Sequence, residues 1–103
     1  MPPPDSRSEL KFHTGRILAT QGALRALQDS GQSPAEFLDR HIRGDWGTVE
    51  EGDWQLNDQS LEDGSRLLSA YTTLRGEKIW IITEASDEQG RRVSTTVLLP
   101  DEY

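Results

Sequence analysis

The sequence predicts an α+β domain in which N-terminal helices pack on a three-stranded antiparallel β-meander. Three observations carry that prediction. Apolar residues recur at helical spacing between Gly22 and Asp63, then switch to alternation from Arg66 onward. The alternating runs are joined by short segments that contain glycine, as hairpins require. With 103 residues and a hydrophobic fraction of 33%, the chain has material for one modest core and none for a second.

The domain organisation follows from composition. Residues 1 to 8 hold three prolines followed by Asp, Ser, Arg and Ser, and read as a flexible tail. Residues 9 to 103 form the single domain. Around the Thr14-Gly15 turn signal, one short strand or extended segment is expected near Arg16 to Ala19. Ala23, Leu24, Ala26 and Leu27 share one side of a short helix over Gly22 to Ser30, stopped by Gly31. Ser33-Pro34-Ala35-Glu36 has the spacing of a capping box, with proline in the first turn. The helix it opens buries Phe37, Leu38 and Ile42, with His41 between them, and ends near Gly44.

Gly44-Asp45-Trp46-Gly47 is a turn between helices, with Trp46 stapling it to the core. The functional alternative makes Trp46 and Trp54 anchors of a protein interface. Thr48-Val49-Glu50-Glu51 repeats the capping-box spacing and predicts a surface helix to Asp63, closed by Gly64. Arg66–Thr72, Lys78–Glu84 and Val93–Leu99 are then the meander. Ile79 and Ile81 fall on one face of its middle strand, and Trp80 and Ile82 on the other. That strand is therefore central, with helices on one face and a partial cover or a homodimer on the other.

Charge is the most informative quantity. The formal charge is −7, from 18 acids and 11 bases. Asp45, Glu50, Glu51, Asp53, Asp58, Glu62 and Asp63 lie between Gly44 and Ser65 with no Lys or Arg among them. The rest of the chain is balanced, so the whole excess sits in that stretch. Such a field repels phosphate and disfavours direct nucleic-acid binding through this face. It attracts a basic groove on a partner protein, including one built to hold nucleic acid.

Most site chemistries find no foothold. Cysteine is absent, which excludes disulfides and thiolate chemistry. Only His13 and His41 offer imidazole, too few for a zinc site, and the carboxylates lack EF-hand spacing. No phosphate loop or nucleophile elbow occurs. No metal and no cofactor is expected. No apolar run is long enough to span a bilayer, and the N-terminus lacks the features of a secretory signal, so a cytoplasmic location is expected. One acid–base set remains: His41, Arg66 and Glu84 are the residue types of a metal-free nuclease or toxin-like enzyme.

Several separated segments carry a resemblance. They are His41-Ile-Arg-Gly-Asp-Trp-Gly47, then Asp53 and Asn57, then Arg66-Leu-Leu-Ser-Ala-Tyr71. Ile79-Trp-Ile-Ile-Thr-Glu84, Ser94-Thr-Thr-Val-Leu-Leu-Pro100 and Tyr103 complete the set. Together they resemble a family of bacterial proteins of about this length carried on plasmids, phages and other mobile elements. Length and acidity also resemble a type II-A anti-CRISPR protein. The resemblance implies a non-enzymatic inhibitor that binds a type II CRISPR effector protein, an RNA-guided nuclease, and blocks DNA targeting. The residues expected to meet that partner are Asp45, Glu50, Glu51, Asp53, Trp54, Asp58 and Glu62. A plasmid-encoded interaction module of other function is the remaining alternative.

Overall fold

The computed structural model describes residues 10–103, and the tail expected over residues 1 to 8 lies outside them. The chain runs β1 (Arg16–Ala19), α1 (Gln21–Asp29), α2 (Pro34–Ile42), α3 (Glu51–Asp63), β2 (Leu67–Thr72), β3 (Lys78–Thr83) and β4 (Ser94–Leu98). A 3-10 turn over Pro100–Glu102 closes it. The mixed α+β class agrees with the sequence, but the sheet does not. It has four strands in the order β1-β4-β3-β2. The antiparallel meander β2-β3-β4 is extended by β1, which lies parallel to β4 with Ile17 opposite Thr95 and Ala19 opposite Val97. The predicted three-stranded sheet is therefore corrected to a mixed four-stranded one.

The physical reason is that β1 completes the cover that β4 needs. Val97 is fully buried, and Arg16 and Thr20 donate their amides to the carbonyls of Val93 and Val97 at 2.9 and 3.0 Å. Without β1, those carbonyls at the edge of β4 would lack these partners.

One sheet face carries the core. Ala23, Ala26 and Leu27 of α1 and Phe37 of α2 pack against Tyr71, Ile79, Ile81 and Val97. Phe37 and Tyr71 meet with ring centroids 5.2 Å apart. The opposite face is covered in part by the C-terminal turn. Tyr103 meets Trp80 edge-on at 6.0 Å, and the Arg66 guanidinium lies over the Tyr103 ring.

The helix starts differ from their sequence signals. Ser33 occupies the N-cap of α2 but makes no side-chain cap bond. The N-cap of α3 is Glu50 rather than Thr48, because Thr48 is hydrogen-bonded to the edge of β2 instead. Its amide and hydroxyl both donate to the Ala70 carbonyl, at 2.7 and 3.2 Å. Gly64 closes α3 in the left-handed conformation, with φ at 82°.

Candidate functional site

Helix α3 and the turn before it line the β2 edge of the sheet, and side chains fix how they lie. Asn57 Nδ2 donates to the Leu68 carbonyl at 2.7 Å, while its Oδ1 accepts from the Leu68 amide at 3.1 Å. Two residues on, the Ala70 amide donates to the Trp46 carbonyl, and Thr48 returns the bond to Ala70. Trp46 is fully buried against His41 and Phe12, and its Nε1 donates to Asp58 Oδ1 at 2.9 Å. The helix is thus pinned along its inner side by Asn57 and Asp58. Asn57 and Ser60 are its buried residues.

That anchoring leaves the acids outside. Glu50, Glu51, Asp53, Asp58, Glu62 and Asp63 are all exposed. Among the described residues, the ion pairs are Arg40–Asp45, Arg43–Asp39 and Arg91–Asp87, and none of them involves an acid of α3. Asp63 is held below the usual carboxylate range by hydrogen bonds from Ser65.

Asp45 stands apart from this face. Its Oδ2 accepts from Arg40 Nε at 2.8 Å and its Oδ1 from the Gly47 amide at 3.1 Å, so it shapes the turn. Trp54 is half-buried. Of the expected contact residues, Glu50, Glu51, Asp53, Asp58 and Glu62 therefore lie on one exposed segment. Asp45 and Trp54 are tied partly to the fold.

His41 lies at the other pole of solvation. It is fully buried, and both ring nitrogens are bonded. The tautomer follows from counting protons. Thr95 Oγ1 donates to the Thr14 carbonyl at 2.9 Å, so its contact with Thr83 Oγ1 at 2.7 Å uses the Thr83 proton. Thr83 then accepts from His41 at 2.8 Å, which places the imidazole proton on Nε2. Nδ1 accepts from Ser69 Oγ at 2.5 Å. The ring is neutral with both positions satisfied. Burial, reinforced by the positive charge of Arg92, pushes His41 down to about 3.

Arg66 and Glu84 sit elsewhere. They flank the Leu67–Thr83 pair at the end of the β2-β3 ladder, and both are exposed. Arg66 donates to the Tyr103 hydroxyl. Thr83 turns its side chain toward His41, so the next residue, Glu84, projects to the other side of the sheet. His41 therefore lies on the opposite side of the sheet from Arg66 and Glu84, and the three residues of the nuclease alternative do not converge.

Arg92, expected at most as a partner for the Glu84 side chain, has a bridging role that the sequence does not mark. It is 9% exposed, and its guanidinium donates to the carbonyls of Ser65, Glu84 and Ser60 at 2.8, 2.9 and 3.0 Å. It thereby ties the end of α3 to the start of β2 and the end of β3. Desolvation lowers its pKa. No local pattern marks this role, since an arginine beside Arg91 in a glycine-containing loop reads as surface.

A cleft of about 640 Å³ opens beside Arg92, lined by Lys11, His13, Arg91, Glu62 and Asp63 among others. Its charges are mixed, and they select neither an anion nor a cation. Among the described residues, no three His, Asp or Glu side chains group as metal ligands, and no helix is long and apolar enough to cross a membrane. Comparison with known proteins finds no matching family model, no matching curated protein and no matching solved structure.

Proposed function

We propose that the protein acts by binding, laying the exposed face of α3 in a basic groove of a partner that otherwise holds nucleic-acid phosphates. The partner in this reading is a type II RNA-guided effector nuclease, as the sequence resemblance implies, and the outcome is blocked DNA targeting. The observation that carries it is that Glu50, Glu51, Asp53 and Glu62 point outward, with no ion pair among the described residues, on a helix fixed to the sheet. A rigid array of negative charge is pre-organised for a positive channel, which such effectors use to hold their RNA–DNA duplex. Binding by charge needs no catalytic group. It also leaves the His41 network with a purely structural role, since both ring nitrogens are already bonded inside the core.

The test is co-elution of the protein with a type II effector, with and without guide RNA, alongside target-DNA cleavage. The informative variant combines Glu51→Lys, Asp53→Lys and Glu62→Lys. Asp58 is left alone because it holds Trp46. Wild type should co-elute and abolish cleavage, and the variant should do neither while keeping its circular dichroism. Absence of a complex together with normal cleavage would overturn the assignment of this partner.

A further inference from the structure

The two edges of the sheet are treated unequally. The β2 edge is sealed by Asn57 and by the segment Trp46–Thr48. Among the described residues, the β1 edge is open. Arg16 and Thr20 direct their amides at β4, and main-chain groups alternate along a strand. Ile17 and Ala19 therefore point their N–H and C=O groups away from β4, where no described residue pairs with them. The side chains beside them are also in water: Ile17 is 54% and Leu18 42% exposed. β1 is only four residues long and begins with the charged Arg16, but among the described residues no proline, bulge or covering helix blocks pairing along that edge.

We propose that β1 is the seam of a symmetric dimer, in which a second copy's β1 adds antiparallel with Leu18 at the two-fold axis. This register lets Ile17 exchange main-chain hydrogen bonds with the second copy's Ala19, and Ala19 with its Ile17. Both outward residues of the strand are then satisfied. Moving the axis to Ile17 would bring Gly15, at φ 66°, into the ladder, and moving it to Ala19 would bring in the first residue of α1.

Charge picks a second copy as the occupant. In this register Arg16 stands opposite the second copy's Thr20, whose hydroxyl is bonded to Glu102 at 2.5 Å. Arg16, Leu18 and Thr20 share one face of the strand. Each guanidinium thus arrives beside the other copy's carboxylate, and the two Arg16 side chains lie at opposite ends of the seam. Glu102 stays ionised to low pH, because the Thr20 hydroxyl and the Leu99 amide both donate to it. The acidic helix lines the other edge, three strand spacings or about 14 Å away. Pairing through β1 therefore keeps the like-charged α3 faces apart and exposed. The dimer is independent of what those faces bind.

Sedimentation equilibrium on the full chain tests this. Wild type should show twice the 11.6 kDa chain mass, and Leu18→Lys should show one chain mass with an unchanged circular dichroism spectrum. The chain has no cysteine of its own, so Leu18→Cys gives a second, fold-independent reading. That variant should cross-link to a dimer on mild oxidation, while Leu74→Cys, at a position 81% exposed, should not. Wild type at one chain mass up to its solubility limit would overturn the proposal. So would a dimer that persists in Leu18→Lys, or a Leu18→Cys protein that does not cross-link.

Discussion

Asn57 and Leu68 meet as neighbouring strands do. The side-chain amide of Asn57 donates to the Leu68 carbonyl and accepts from the Leu68 amide, so a helix residue supplies what another strand would. The edge of β2 is closed to other chains by this pair and by the Trp46–Thr48 segment, and α3 is fixed in place by the same bonds.

Asn57→Asp should therefore cost about 1–3 kcal/mol of stability, because a carboxylate keeps the acceptor but faces the Leu68 carbonyl with no donor. Urea denaturation measures the loss. Asn57→Ala should also promote aggregation, since it uncovers part of a strand edge. An Asn57→Asp midpoint equal to wild type would show that the bidentate contact contributes little.

Two glycines should respond in opposite directions. A Cβ on Gly47 would lie 1.9 Å from the Ala70 carbonyl oxygen, at a φ of 78°. Gly47→Ala should lower the melting temperature sharply, with a loss of about 2 kcal/mol or more. A Cβ on Gly52, inside α3, would meet nothing within 4 Å. Gly52→Ala should raise the melting temperature by the helix-propensity difference of about 1 kcal/mol. Calorimetry on both variants checks the pair of signs.

The contrast between these positions shows how far the sequence is readable. β2, β3 and β4 are legible because alternation and hairpin connections are both local. The Arg16–Ala19 strand is legible as a segment, but its place is not. Its partner β4 lies far along the chain, and a four-residue strand carries no mark of the neighbour it will take. Thr48 misleads for a related reason: its spacing to Glu51 suits a capping box, yet tertiary pairing with Ala70 claims its amide and hydroxyl. The acids of α3 were legible as a charge block because charge is additive along a sequence. Arg92 was not legible, since its three carbonyl partners come from separate elements.

His41 should make stability pH-dependent in a defined sense. Its folded pKa, about 3, lies below the ordinary histidine value near 6.5, so the unfolded chain binds the proton more readily. The contribution is complete above the unfolded value and is lost as pH falls toward the folded one. Glu102, Asp63 and Asp87 are also lowered. They add losses of the same sign, but only at carboxylate pH. Between about pH 6.5 and 5 the slope therefore belongs largely to histidine. Urea midpoints should fall across that window in wild type and fall less in His41→Gln. Equal slopes would show that His41 is not held neutral.

In the proposed binding mode, α3 competes with nucleic acid for a basic surface of the partner. The most direct measurement is the fluorescence anisotropy of labelled target DNA held by a guide-loaded type II effector while this protein is titrated in. Displacement is expected, weakening steeply with added salt and lost when Glu51, Asp53 and Glu62 are replaced by lysine. DNA that stays bound at saturating protein, or equal displacement by the lysine variant, would contradict it.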